Sequence, residues 1–141
     1  MNILYEVYKS ENAIRSLGNF DFAKFEMIKK YKLEETSQVI NNAFLIVLAK
    51  DCKTNINVGF LNVQRNPSLG VAIIQFLEIL PNYRGVGIGT KLLNKTMKEL
   101  KILGIKKVQV DDDSNTNFFV KNGFDDGTPF LDTLTRSRLV Q

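Results

Sequence analysis

Leu80-Pro81-Asn82-Tyr83-Arg84-Gly85-Val86-Gly87-Ile88-Gly89-Thr90 joins an apolar segment to an amphipathic one. Upstream, Val71-Ala72-Ile73-Ile74-Gln75-Phe76-Leu77-Glu78-Ile79-Leu80 has the composition of a strand. Downstream, Ile88, Leu92, Met97, Leu100 and Leu103 fall near one helical face, with Lys91, Asn94, Lys95 and Lys98 on the other. Glycines at 85, 87 and 89 strip side chains from the turn where the helix begins. A helix N-terminus offers N–H groups with no intrahelical partner, together with the positive end of the dipole. A glycine-rich turn at that point forms an anion cradle suited to a phosphate or pyrophosphate.

Other glycine-rich turns fit less well. The plainest alternative is a flexible strand-to-helix connection with no ligand. A P-loop ends in Gly-Lys-Ser/Thr, which this run lacks. A dinucleotide fingerprint is Gly-x-Gly-x-x-Gly, early in a βαβ unit. Here the spacing is Gly-x-Gly-x-Gly, an Arg precedes it, and about eighty residues come first.

Arg84, Gly87 and Gly89 satisfy the pattern Arg/Gln-x-x-Gly-x-Gly/Ala. With Ile79-Leu80-Pro81 before it and Leu92-Leu93 after it, the run resembles the coenzyme A signature of the GNAT superfamily of N-acetyltransferases. The local motif covers residues 71–104, and weaker family-like features extend over most of the chain.

A chain of 141 residues is read as one domain spanning 1–141, a length that buries roughly 70% of its unfolded surface. A hydrophobic fraction of 44% is ordinary for a globular protein. No apolar stretch approaches the ~20 residues that cross a bilayer. Met1-Asn2-Ile3-Leu4-Tyr5-Glu6 lacks the zones of a signal peptide. A soluble, cytoplasmic protein with no membrane partner is expected. Cys52 is the single cysteine, so no intrachain disulfide forms, and its turn-like surroundings suggest an inert surface thiol. The chain has no His, which removes histidine bases, Ser-His-Asp and Cys-His catalysis, and most zinc sites. No metal is expected.

The net charge is +4, and Lys91, Lys95, Lys98, Lys101, Lys106 and Lys107 cluster between residues 91 and 107. A solvated helix face explains most of them. Attraction of an anionic cofactor is the functional reading. No nucleic-acid-binding motif accompanies the charge, so no nucleic-acid partner is expected.

Ile3–Tyr8 reads as a strand, and Ser10-Glu11-Asn12 as a helix start. Residues 11–40 suggest one or two short helices, broken at Gly18-Asn19. Phe44–Ala49, Ile56–Val63 and Val71–Leu80 read as three strands of an antiparallel meander. After the long helix, Gly104 is a natural C-cap. Ile105–Val110 reads as a strand parallel to the one before the helix. Asp111-Asp112-Asp113 ends it, a short helix runs through 116–122 with Ser114 or Asn115 as cap, and Thr128–Thr135 is the last strand.

The resemblance implies an α+β, sandwich-like fold. Helices flank a mixed, mostly antiparallel central sheet whose fourth and fifth strands splay apart. It implies acetyl-CoA as co-substrate. Arg84, Gly85, Val86, Gly87, Ile88, Gly89 and Thr90 would wrap the pyrophosphate, mainly by backbone N–H groups, with the Thr90 hydroxyl adding a bond. The backbone of Leu77, Glu78 and Ile79 would pair with the pantetheine arm like a missing strand, which requires a bulge before Pro81. Asn115 or Asn117, together with Phe118, would supply further cofactor contacts.

The implied reaction is transfer of an acetyl or short acyl group to a primary amine of a small molecule or protein, by direct attack in a ternary complex. Glu78 is the candidate base. Its other reading is a carboxylate in solvent or paired with a neighbouring cation. Where the histone-acetylating relatives place their Glu, this chain has Ile73. Asp111, Asp112 and Asp113 are fallback bases, otherwise solvated charges at a strand end. Many relatives show Phe-Tyr-x-Lys-x-Gly-Phe, with the Tyr as general acid. Phe118-Phe119-Val120-Lys121-Asn122-Gly123-Phe124 puts Phe119 at that place, so the general acid is unassigned. Phe118 and Phe124 read as core or cofactor-packing residues. The alternative is a non-catalytic acyl-CoA-binding sensor or regulatory module on the same fold. The expected assembly is a monomer or homodimer.

Overall fold

The computed structural model describes residues 2–19, 25, 40, 43–66, 70–112, 117–130 and 133–141. Its strands are β1 (Ile3–Tyr8), β2 (Ala43–Asp51), β3 (Ile56–Arg65), β4 (Val71–Ile79), β5 (Lys107–Asp112), β6 (Thr128–Phe130) and β7 (Thr133–Leu139). Its helices are α1 (Glu11–Arg15), α2 (Ile88–Ile102) and α3 (Phe118–Lys121). The strands form one open seven-stranded sheet in the order β1-β2-β3-β4-β5-β7-β6. All neighbours are antiparallel except β4 and β5, which run parallel through the α2 crossover. The fold is the mixed, mostly antiparallel α+β architecture expected.

Local chemistry explains the elements. Ser10 accepts a hydrogen bond from the Ala13 N–H at 3.0 Å, so it caps α1. β2 and β3 join through residues 52–55, with Asn55 at φ 59°, a left-handed position that Asn tolerates. Leu45, Val47 and Ala49 face one side of β2, while Ile46 and Leu48 face the other. Both sides are covered, so β2 reads as a continuous apolar run rather than an alternating one.

The larger core lies between the sheet and α2. Leu92, Leu93, Met97 and Leu100 pack on Leu61, Val63, Ala72, Ile74, Val108 and Val110. Burying each such Leu contributes roughly 1.5–3 kcal/mol. The opposite face holds Ile14, Leu17, Phe25, Ile46, Leu48, Phe60 and Phe76. Phe25 meets Phe60 edge-on, with centroids 4.7 Å apart.

Three expected boundaries differ. The strand after α2 begins at Lys107 rather than Ile105, and Asp111 and Asp112 belong to it. The single last strand is two, β6 and β7, with β7 inserted between β5 and β6. β7 continues past the expected end at Thr135 to Leu139, through Arg136 and Arg138. In the fold each guanidinium is held by hydrogen bonds, so the charges are compatible with a strand. The short helix spans only Phe118–Lys121, with Asn117 at its N-terminus. The proposed caps Ser114 and Asn115 lie outside the described residues, as does Asp113.

Candidate active site

The β4–β5 ladder runs from Val71 opposite Lys107 to Ile74 opposite Val110 and stops there. At the same point the β3–β4 register shifts. Val63 faces Ile74, but Asn62 faces Phe76, so Gln75 is an extra residue on β4. A bulge of this kind bends the strand that carries it. Beyond it, β4 stays with β3 as far as Ile79, while β5 follows β7 to Asp112. The two strands splay, and a cavity of about 640 Å³ occupies the gap. The bulge expected before Pro81 is therefore present, at Gln75.

One wall is Ile74, Gln75, Leu77, Glu78 and Ile79; the other is Val110, Asp111 and Asp112. Phe118, Phe119 and Lys121 come from α3. Tyr83, Arg84, Gly85, Gly87, Ile88, Gly89 and Thr90 frame one end. Of the residues expected at the cofactor, Val86 and Asn117 are described but are not part of the lining; both are exposed. Asn115 lies outside the described residues.

The turn at that end is fixed on its upstream side. The Leu80 N–H donates to the Val58 carbonyl at 2.8 Å, and Pro81–Tyr83 then forms a single 3-10 turn. The Tyr83 hydroxyl donates to Asp51 Oδ2 at 3.0 Å, and Arg84 Nε donates to the Ile79 carbonyl at 2.8 Å. The Lys53 backbone N–H holds the Asp51 carboxyl below its ordinary value, with help from Tyr83 and Thr54, while burial works the other way.

Gly87 sits at φ 89°, in the left-handed region, and is the N-cap of α2. A Cβ there would meet nothing within 4 Å. Backbone conformation, not crowding, therefore demands glycine, and the space above the turn is open to an anion. Gly89 differs: a Cβ would lie 3.3 Å from Phe118 Cε2, so the α3 ring rests on the first turn of α2. The Lys91 N–H reaches the Gly87 carbonyl at 3.1 Å. The N–H groups of Ile88, Gly89 and Thr90 precede that bond and emerge from the helix end. This donor set fits a pyrophosphate.

Glu78 is half-buried, faces Phe60 across the β3–β4 ladder and lines the cavity. Ile73 remains in the paired part of β4, opposite Gln109. Phe119 is clasped edge-on by Phe118 and Phe124, both with centroids 5.2 Å away. The expectation that Asp112 is a solvated charge is corrected. It is buried, and Arg136 Nε donates to its Oδ2 at 2.9 Å. Asp111 is exposed and accepts from the Thr135 hydroxyl at 2.9 Å. Arg136 and Arg138 also donate to the Asp125 and Asn122 carbonyls, tying β7 to the turn after α3. Cys52 is exposed, as expected.

Sequence reasoning missed Gln75, Tyr83 and Lys121 as cavity residues. Gln75 had a usable signal: it is polar within an apolar strand. Tyr83 and Lys121 gave none beyond their nearness to the motif.

An open mixed sheet whose one parallel pair splays beside a glycine-rich helix start is the architecture of the GNAT acetyltransferases. The model of the Acetyltransferase (GNAT) family matches residues 5–124, and the chain belongs to that family. No curated protein matches the chain. Among solved structures, it is similar to N-acetylglutamate synthase from Neisseria gonorrhoeae, complexed with coenzyme A and N-acetyl-glutamate, at 12% identity and TM-score 0.71. All of the chain is covered, but it spans 36% of that longer protein. PaiA N-acetyltransferase from Thermoplasma acidophilum, in complex with coenzyme A, is 16% identical with TM-score 0.71, and 99% of each chain is covered. Tetrahymena GCN5 is 14% identical with TM-score 0.71, over 98% of this chain and 96% of that one. These likenesses show a shared fold. No helix among the described residues is long and apolar enough to cross a membrane.

Proposed function

We propose that the chain is an N-acetyltransferase that moves an acetyl or other short acyl group from coenzyme A to a primary amine by direct attack. The observation that carries this reading is the coincidence of the β4–β5 splay with the glycine turn at one end of the same cavity. In this reading the N–H groups from Gly85 to Thr90 hold the pyrophosphate, the Arg84 N–H donating instead to the Pro81 carbonyl at 3.3 Å. The backbone of Leu77, Glu78 and Ile79 receives the pantetheine arm along the β4 edge that β5 leaves free. Phe118 packs beside it.

The amine lone pair attacks the thioester carbon, and the C=O π pair moves onto oxygen. The tetrahedral intermediate re-forms C=O, breaks the C–S bond and releases the thiolate. The amine proton goes to a base. A free alkyl amine has a pKa near ~10.4, so a base or desolvation is needed at neutral pH. Glu78, which lines the cavity, takes that role in this reading, directly or through water. Phe119 has no proton to give. A thiol pKa near ~8.5 lets the thiolate leave without one.

Mass spectrometry across a panel of amines tests the reading, with acyl transfer as the expected result. Glu78→Gln should lower kcat by roughly 10²–10⁴-fold with acetyl-CoA affinity retained. Tight acetyl-CoA binding with no transfer to any amine would instead support a sensor or regulatory module, the reading that Phe119 favours.

A further inference from the structure

We infer that Gln75, oriented by Gln64, donates a hydrogen bond to the carbonyl oxygen of the bound thioester; this rests on the acyl-CoA reading of the cavity. Gln75 is the extra residue of the β4 bulge, at the position where the β4–β5 ladder ends. It is half-buried in an otherwise apolar stretch and lines the cavity. Gln64 Nε2, on β3, donates to Gln75 Oε1 at 2.8 Å. With the oxygen engaged, the carboxamide is fixed and its NH2 group is turned away from Gln64.

Position supports the assignment. Ile79 adjoins the phosphate turn and lies four positions along the chain from Gln75, about 13 Å of strand. An extended pantetheine arm laid along that edge delivers its thioester to the bulge. The bulge is also where β4 loses β5 as a partner, so a ligand carbonyl there needs donors to replace the ladder. During attack the carbonyl oxygen takes up the π pair and becomes an oxyanion. A neutral amide can stabilise it without protonating the incoming amine. A fixed donor aimed at developing charge acts on the transition state more than on the ground state.

The test needs no acceptor. Acetyl-CoA labelled with carbon-13 at the thioester carbonyl is bound to wild type, Gln75→Leu, Gln75→Glu and Gln64→Leu, and the carbonyl stretch is read by infrared difference spectroscopy. Gln75→Glu preserves shape and the bond from Gln64 but, when ionised, offers no donor. Calorimetry measures acetyl-CoA affinity of the same proteins and confirms folding. The band should fall below its free value in wild type. It should return most of the way in both Gln75 variants and part of the way in Gln64→Leu. With any amine that the wild type acetylates, kcat should drop at least about tenfold in Gln75→Leu, toward the 10²–10³ seen when an oxyanion donor is lost. An unmoved band in Gln75 variants that still bind acetyl-CoA overturns the inference alone. A wild type that binds no acetyl-CoA overturns the reading of the cavity, and this inference with it.

Discussion

Gly87 holds a backbone angle of 89° at the start of α2 with empty space where a side chain would project. A branched side chain forced into that region strains the backbone by about 1–2 kcal/mol. It also occupies the volume an anion needs. Gly87→Val should therefore lose acetyl-CoA binding in a calorimetric titration while keeping a native circular dichroism spectrum. Phe119 makes the second test. Phe119→Tyr places a phenol on a ring that already faces the cavity, so turnover should rise if protonation of the thiolate slows the reaction. At this scale the glycines and Arg84 were legible because their spacing is local. The environment of Asp112 was not. Its partner Arg136 lies 24 residues away, and nothing in either neighbourhood announces the pair.

At the scale of elements, two side-chain ties hold the site. Asp51, at the end of β2, anchors the 81–83 turn through Tyr83. Its carboxyl sits below the ordinary 3.8, so its contribution to stability is complete above that value. It is lost as the pH falls through the lower folded value. Acid unfolding of Asp51→Asn should accordingly show a shallower dependence on pH below about 4 than wild type, followed by fluorescence or circular dichroism. The second tie joins β5 to β7. Arg136→Leu leaves Asp112 as a buried charge without its guanidinium, and such a change costs about 3–5 kcal/mol. Urea unfolding should show the midpoint fall accordingly. The long amphipathic helix and the meander were readable from periodicity and turn residues. β7 was not, because Arg136 and Arg138 look solvent-bound until their acceptors on β5 and the turn after α3 are in place.

Across the whole molecule, the sheet carries an apolar core on both faces, and the splay interrupts it at one place. The β2-β3-β4 meander and the parallel placing of β5 followed from short turns and the crossover rule. The splay did not. It depends on a one-residue offset between β3 and β4, for which a single chain carries no local mark. Ligand binding should stiffen this gap. At a hundredfold excess over Kd, acetyl-CoA should stabilise the fold by about 2.7 kcal/mol. That corresponds to a rise in Tm of roughly 5–10 °C for a chain of this size, measurable by scanning calorimetry. A crystal structure with acetyl-CoA bound examines the site most directly. The predicted result is a pyrophosphate against the N–H groups from Gly85 to Thr90, with the pantetheine arm running along Ile79, Glu78 and Leu77 in the β4–β5 gap. Acetyl-CoA bound elsewhere, or a gap left empty at saturating acetyl-CoA, would contradict it.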